Sequence, residues 1–98
     1  MVLKILWSKS SEKEFIKTLI FWIEYNKSNS YSIKLFQEIE NTLKLVSEFP
    51  DLGLKSNYKN NRVIITSKFK LIYEANKKEI KIKRFFDCRR NPKNINKF

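Results

Sequence analysis

The residues of this chain that best suit chemistry are cations interleaved with aromatic rings in its second half. The cations are Arg62, Lys68, Lys70, Arg84, Arg89 and Arg90, and the rings are Tyr58, Phe69, Phe85 and Phe86. This combination suits phosphate contact and base stacking, and in a dry site it would stabilise the charge of a phosphoryl transition state. The rings also suit the core of a fold, so they have a structural interpretation beside the functional one.

Positive charge is concentrated in the same half. Of the net charge of +11, residues 1–50 contribute +1 and residues 51–98 contribute +10, and all four Arg follow residue 60. A concentrated positive field attracts phosphates or an acidic polypeptide. Arg suits phosphate better than Lys because its planar guanidinium can donate two hydrogen bonds to one phosphate. We therefore expect an acidic partner; the alternative is simply a soluble surface rich in Lys.

Several kinds of active site are excluded by the residues that the sequence lacks. It has no His, a single Cys and no glycine-rich phosphate loop, so a His-based triad, a disulfide framework and an ordinary zinc site are absent. We expect neither a cofactor nor a metal. Cys88 is interpreted as a small buried side chain, although Arg89 and Arg90 beside it offer the alternative of a reactive thiol.

One domain is expected to span residues 1–98. The length suits a single core, 42% of the residues are hydrophobic, and one Gly with two Pro argues against a disordered chain. The apolar run at residues 1–7 is too short to cross a membrane and lacks the small residues of a signal cleavage site. We therefore expect a cytoplasmic protein without membrane contact.

Two amphipathic helices are predicted in the first half. Ser11 and Glu14 have the spacing of a capping box, and apolar residues recur at helical intervals from there to about Tyr25. A second apolar period follows a polar turn and is closed by Pro50 and Gly53. The apolar positions are Phe15, Ile16, Leu19, Ile20, Trp22 and Ile23, then Ile33, Phe36, Ile39, Leu43 and Val46. The helices should pack as an antiparallel hairpin whose apolar face needs a cover.

Strands should provide that cover. Residues 2–7 form an opening strand, and residues 62–66, 69–75 and 79–86 form an antiparallel meander separated by polar turns. The predicted fold class is α+β, with an N-terminal strand, an antiparallel helical hairpin and a three-stranded antiparallel meander in one small curved sheet.

Alternation along the last strand predicts one basic, solvated sheet face. A period of two places Ile80, Ile82, Arg84 and Phe86 on one face and Lys81, Lys83 and Phe85 on the other. The alternative role of these Lys is to protect an exposed strand from aggregation.

Five local motifs follow one another along nearly the whole chain. They are an opening strand, a hairpin ending in Phe49-Pro50-Asp51-Leu52-Gly53, a strand beginning at Arg62, the strand Phe69-Lys70-Leu71-Ile72-Tyr73-Glu74, and the closing Arg84-Phe85-Phe86-Asp87-Cys88-Arg89-Arg90-Asn91-Pro92. In this order the chain resembles the RelE/ParE superfamily, the toxin subunits of bacterial type II toxin-antitoxin modules. The resemblance implies a small sheet wrapped by an N-terminal helical hairpin, in agreement with the periodicity.

The RelE branch implies an enzyme, a metal-independent endoribonuclease that enters the ribosomal A site and cuts messenger RNA with a basic cluster. By alignment, Arg62, Lys70 and Arg89 occupy basic positions of that cluster, where they would orient the 2′-hydroxyl and stabilise the charged intermediate. Two positions depart from the pattern, because Ile64 replaces a second basic residue and the tail around Ile95 has no Tyr or His. The sequence therefore has no obvious residue to act as the general acid or base.

The ParE branch implies a toxin that poisons DNA gyrase without chemistry of its own. Its last strand runs into a basic segment similar to Arg89-Arg90-Asn91-Pro92, so the sequence favours a ParE-like toxin of the kind associated with plasmid stabilisation. The RelE-like mRNA endonuclease is the alternative, and a non-enzymatic basic nucleic-acid-binding module is the second. In the binding interpretations, the target is contacted by Arg62, Lys68, Lys70, Arg84, Arg89 and Arg90.

Either branch implies a cognate acidic antitoxin and a toxin-antitoxin hetero-oligomer. An amphipathic acidic segment would lie over the helical hairpin or add a strand, and it would neutralise the basic half of the chain. We predict nanomolar or tighter binding between the two proteins.

Overall fold

A computed structural model describes residues 2–89 and places two helices against one face of a five-stranded sheet. Arg90, Asn91, Pro92 and Ile95 lie outside the described residues. The elements are β1 (Lys4–Trp7), α1 (Lys9–Asn26), α2 (Ser30–Glu48), β2 (Leu54–Lys55), β3 (Asn61–Ile65), β4 (Phe69–Ala75) and β5 (Glu79–Asp87).

The sheet has the order β1-β5-β4-β3-β2, and its three longest strands form the predicted antiparallel meander. Two features differ from the prediction. β1 pairs in parallel with β5, from Lys4 opposite Glu79 to Trp7 opposite Ile82, so the sheet is mixed. A short fifth strand, β2, adds to the outer edge of β3. The α+β class is confirmed, with one more strand than expected.

The first helix begins one turn before the predicted cap. Ser8 has an extended backbone, and its side chain accepts a hydrogen bond from the Ser11 backbone N–H at 3.1 Å, so Ser8 is the N-cap. Ser11 is buried and its hydroxyl donates to the Ile82 carbonyl at 3.0 Å. The capping box predicted at Ser11 and Glu14 is therefore wrong, because tertiary contacts with β5 occupy both residues.

Only part of each apolar helix face lies against the sheet. Phe15, Leu35, Ile39, Leu43 and Val46 are buried. The outward apolar stripe, which we define as Ile16, Ile20, Ile23, Ile33 and Phe36, is 40 to 49% exposed. The sheet therefore covers a narrower face than the sequence predicted, because a wide apolar period has room for contacts on two sides of a helix.

A β-bulge in β5 reverses the predicted alternation. Tyr73 pairs with Ile82 and Ile72 pairs with Arg84, which leaves Lys83 as an extra residue. Before the bulge, Ile80 and Ile82 face the helices; after it, Phe85 faces the helices, and Arg84 and Phe86 point to the opposite, open face. The prediction that Arg84 and Phe86 share a face with Ile80 and Ile82 is therefore wrong.

Candidate target-binding surface

The open face of the sheet carries a shallow groove of about 470 Å³. Its lining residues are Ser56, Tyr58, Lys59, Asn61, Ile72, Glu74, Lys83 and Arg84. The bulge brings two consecutive cations to this groove, because Lys83 pairs with Glu74 at 3.2 Å while Arg84 follows on the same face. Bulges commonly re-aim side chains in this way near functional surfaces.

The ring of Phe86 lies between two of the predicted cations. The Arg84 guanidinium carbon is 4.8 Å from the ring centroid and the Lys70 Nζ atom is 5.9 Å from it. Both distances fall within the range of cation–π attraction. Beneath them, Val63 and Ile72 pack against Phe86 in a small apolar cluster, so this part of the open face is not simply a solvated surface as predicted.

Arg84 is held in place by a carboxylate from α1. Its Nε and Nη2 atoms donate to the two oxygens of Glu14 at 2.8 to 3.2 Å, and the Phe85 backbone N–H donates to the same carboxylate. The side-chain hydrogen bonds from Arg84 to Glu14 raise the pKa of Arg84 above its usual value, and burial acts in the opposite direction. The guanidinium is therefore fixed in orientation over Phe86.

Lys70 is completely buried, which is unusual for an ammonium group. Burial lowers the pKa of Lys70, and the charge of a Cys88 thiolate would act in the opposite direction. Cys88 is also buried; burial raises the pKa of its thiol, Asp87 adds to that rise and Lys70 opposes it. The small-buried-residue interpretation of Cys88 therefore fits, since a reactive thiol needs a lowered pKa.

Arg62 is engaged by the loop that follows α2. Its Nη1 atom donates to the Gly53 carbonyl at 2.9 Å, and its Nη2 atom is 3.3 Å from the Asp51 carboxylate. The Tyr73 hydroxyl holds the same loop, since it accepts from the Gly53 N–H and donates to the Pro50 carbonyl, each at 2.8 Å. A Cβ at Gly53 would lie 2.8 Å from the Tyr73 ring, which explains the glycine at this position. The Pro-Asp-Leu-Gly motif therefore forms a loop that is held by side chains of β3 and β4.

The other two predicted cations in the described part of the chain, Lys68 and Arg89, both contact the helical hairpin. Lys68, in the turn between β3 and β4, forms an ion pair with Glu38 of α2. Arg89 follows β5, and its guanidinium carbon is 5.1 Å from the centroid of the Tyr31 ring at the start of α2. Each of these cations is thus bound to the helical hairpin and not to the groove.

Within the described part of the chain, no group of three or more His, Cys, Asp or Glu residues could hold a metal ion. Neither helix among residues 2–89 is long and apolar enough to cross a membrane.

Three solved structures are similar to this chain. A chain from the chromosomal ParDE toxin-antitoxin system of P. aeruginosa gives a TM-score of 0.69 at 16% sequence identity, over 88% of this chain and 96% of that one. The conserved hypothetical protein HP0894 from Helicobacter pylori gives 0.55 at 24%, over 87% and 93%. A chain of the E. coli DinJ-YafQ toxin-antitoxin complex gives 0.45 at 19%, over 93% and 98%. No protein-family model and no curated protein matches the sequence.

The likeness to the ParDE chain covers most of both chains. This chain has a RelE/ParE-like fold. The resemblance first drawn from five local motifs is thereby confirmed at the level of the fold.

In this RelE/ParE fold, the three residues proposed as catalytic do not share one surface. Arg62 pairs with Tyr73 and points to the helix side of the sheet, while Lys70 lies beside Phe86 on the open side. Along the strands their positions are about 10 Å apart. Arg89 is a third, separate position against Tyr31. The catalytic assignment of Arg62, Lys70 and Arg89 stays a prediction.

The sequence prediction missed two residues of this candidate surface. Lys83 lines the groove only because of the bulge, and Glu14 is the partner of Arg84. A signal for Lys83 was available, because two consecutive cations between Ile82 and Phe85 interrupt the apolar alternation of the strand. No local signal identifies Glu14, which meets Arg84 across 70 residues of chain.

Proposed function

We propose that this chain is the toxin of a type II toxin-antitoxin module, that it arrests growth by poisoning DNA gyrase, and that a cognate acidic antitoxin neutralises it. The RelE/ParE fold supports the toxin assignment. The charge distribution supports an acidic partner, because residues 51–98 carry +10 of the net +11.

The observation that carries the choice of gyrase over RNA cleavage is the separation of the three candidate catalytic cations. Phosphoryl chemistry needs groups that converge within about 3 Å of the reacting atoms. Arg62 faces the helices and is held by Asp51 and the Gly53 carbonyl, whereas Lys70 is buried beside Phe86 on the opposite face of the sheet. This arrangement suits a protein that binds a macromolecule better than one that cleaves a phosphodiester.

The antitoxin is proposed to cover the helical hairpin. The outward apolar stripe leaves five large side chains 40 to 49% exposed on two neighbouring helices. Exposed Lys13 and Lys17 lie on α1 beside Ile16 and Ile20. An amphipathic acidic segment would bury the apolar side chains and pair with the cations, which is the usual helix-in-groove mode of peptide recognition.

One observation favours the RelE-like mRNA endonuclease as a second candidate. Lys70 is buried and burial lowers its pKa, which is the direction of shift that favours a lysine as a general base. In that case Lys70 would supply the proton transfer for which the sequence offers no Tyr or His, and Arg84 beside the same ring would stabilise the developing charge.

The test is a pulse-labelling time course after the full chain is induced in a bacterium. Thymidine and methionine incorporation are followed in parallel, and purified chain is assayed for inhibition of gyrase supercoiling. We expect thymidine incorporation to fall first, cells to filament, and supercoiling to be inhibited. An immediate fall in methionine incorporation with intact gyrase activity would contradict the gyrase proposal and favour ribosomal mRNA cleavage.

Two further results would bear on the assignment. A chain that binds nucleic acid but slows neither synthesis would be the non-enzymatic binding module. The double substitution Arg89→Ala and Arg90→Ala should abolish toxicity and leave the fold intact, because both residues follow the last core strand. Full toxicity of a folded double variant would remove these residues from the target-binding set.

A further inference from the structure

The end of β5 is tied to α1 by a buried carboxylate. Asp87 is 3% exposed, and its Oδ2 atom accepts a hydrogen bond from the Trp22 indole Nε1–H at 2.7 Å. Its Oδ1 atom accepts from the backbone N–H of Arg89 at 3.1 Å. The two oxygens of one carboxylate therefore connect the C-terminal part of α1 to the residue that begins the basic segment.

The side chain of Arg89 rests on the same group of rings. Its guanidinium carbon is 5.1 Å from the centroid of Tyr31, and the Trp22 ring meets Tyr31 at 5.1 Å with an angle of 63°. Backbone and side chain of Arg89 are thus both fixed, the first by Asp87 and the second by Tyr31. Arg89 lies beyond the end of β5, but these two contacts keep its exposed side chain at one position on the surface.

We propose that Trp22, acting through Asp87, is a positioning residue that sets where Arg89 is presented to the target. The inference rests on the proposed function, in which Arg89 contacts that target. Hydrogen bonds to a charged group are stronger than neutral ones, and they are directional, so loss of the indole donor removes one of the contacts that orient the carboxylate bonded to the Arg89 backbone. Arg89 would then sample several positions, and ordering it again would weaken target binding.

The chain contains a matched pair of tryptophans for the test. Trp22→Phe keeps a ring against Phe21, Tyr25 and Tyr31 and removes the donor to Asp87. Trp7→Phe is the control, because Trp7 contributes by ring stacking on Phe15 at 5.0 Å. Both substitutions shrink an indole to a phenyl ring, so a loss of packing alone affects both.

The measurement is inhibition of gyrase supercoiling by the full chain, expressed per folded molecule after the folded fraction is determined by denaturant titration. We expect Trp22→Phe to raise the half-inhibitory concentration about tenfold, which corresponds to one charge-assisted hydrogen bond. Trp7→Phe should change it less than about twofold. Equal changes in the two variants, or none in Trp22→Phe, would overturn the inference.

A double-substitution cycle separates positioning from a general structural role. If Trp22 acts through Arg89, Trp22→Phe should have no further effect on inhibition once Arg89 is Ala, although its effect on folding stability should persist. Additive losses of inhibition in the Arg89→Ala background would show that Trp22 acts by another route and would reject the proposal.

Failure of the proposed function gives a different pattern. If the wild-type chain arrests growth but leaves gyrase active, the gyrase proposal fails. Growth arrest at equal expression is then compared for Trp22→Phe, Trp7→Phe, Arg89→Ala and the variant that combines Trp22→Phe with Arg89→Ala. Trp22→Phe should still lose toxicity and Trp7→Phe should keep it. A Trp22→Phe chain as toxic as the wild type would reject the positioning role, and a wild-type chain without any toxicity would reject both proposals.

Discussion

The hydroxyl of Tyr73 satisfies two backbone groups in the loop between α2 and β2, the Gly53 N–H and the Pro50 carbonyl. Tyr73→Phe leaves both groups inside the protein without this partner, so we expect the free energy of unfolding to fall by about 1–3 kcal/mol. Tyr31→Phe is the control, because the Tyr31 hydroxyl is buried without a hydrogen-bond partner in the described structure. It should change stability by less than about 0.5 kcal/mol.

Denaturant titration of both Tyr→Phe variants checks this prediction, and alkaline pH adds a second test. Burial raises the pKa of Tyr73 above its usual 10.0. The folded state then keeps a proton that the unfolded state loses, so the contribution to stability is complete below pH 10 and declines as the pH rises through the folded pKa. This decline should be absent in Tyr73→Phe. Equal effects of the two substitutions would show that the loop does not depend on the Tyr73 hydroxyl.

Lys70 illustrates a conflict between stability and function. Since burial lowers its pKa, the folded environment disfavours the charged form relative to water. Lys70→Met keeps the length of the side chain and removes the charge, so we expect the free energy of unfolding to increase at pH 7. Toxicity should fall in the same variant if Lys70 belongs to the target-binding surface.

The pH dependence of stability provides a second test of the Lys70 prediction. With a folded pKa below the unfolded value of 10.5, the unfolded state binds more protons in the window between them, so wild-type stability rises with pH there. The advantage of Lys70→Met should therefore shrink as pH approaches 10.5. A variant that is less stable than the wild type at pH 7 would show that the interactions of the ammonium group outweigh its desolvation.

Because Lys83 is the extra residue of the bulge in β5, its deletion should be tolerated by the sheet. Removal of Lys83 would leave Tyr73 opposite Ile82 and Ile72 opposite Arg84 in an uninterrupted ladder, so every core side chain keeps its face. We expect this variant to fold with a loss of about 1–2 kcal/mol, from the ion pair with Glu74 and the contact with the Ser8 hydroxyl. Circular dichroism and thermal unfolding measure both properties.

Deletion of Lys81 is the matched control for the bulge. It lies in the regular part of β5 between Ile80 and Ile82, both completely buried, so its loss turns one of them to the open face. This variant should not fold cooperatively. Similar behaviour of the two deletions would contradict the assignment of the extra residue to Lys83.

The elements that were predicted correctly from sequence are those with long periodic signals. β4 was predicted at residues 69–75 and lies at Phe69–Ala75, because alternation over seven residues defines a strand. β2 has two residues and therefore no period. The bulge at Lys83 and the choice of Ser8 over Ser11 as the cap depend on contacts with distant segments. Local sequence carries no information on those contacts, so the open face could be predicted only in part.

Two surfaces of different chemistry dominate the whole molecule. The outward apolar stripe lies on the half of the chain that carries +1, while the groove and the cations around Phe86 are formed by described residues of the half that carries +10. An antitoxin that covers both would combine a hydrophobic contribution, which salt leaves nearly unchanged, with an electrostatic one, which salt screens. The two contributions can therefore be separated by substitution and ionic strength.

The outward stripe should control the salt-independent part of antitoxin binding. Ile20 is 49% exposed, and burial of the remaining half of an isoleucine is worth about 1 kcal/mol, so Ile20→Ser should weaken binding roughly fivefold to tenfold at 50 mM and 500 mM salt alike. Leu45→Ser is the control, because Leu45 is 50% exposed on α2 outside the stripe and should leave affinity unchanged. Calorimetric titration of both variants decides the matter, and both should remain toxic, since neither residue touches the cations proposed to contact the target. If Leu45→Ser weakens binding and Ile20→Ser does not, the antitoxin covers a different face of the hairpin.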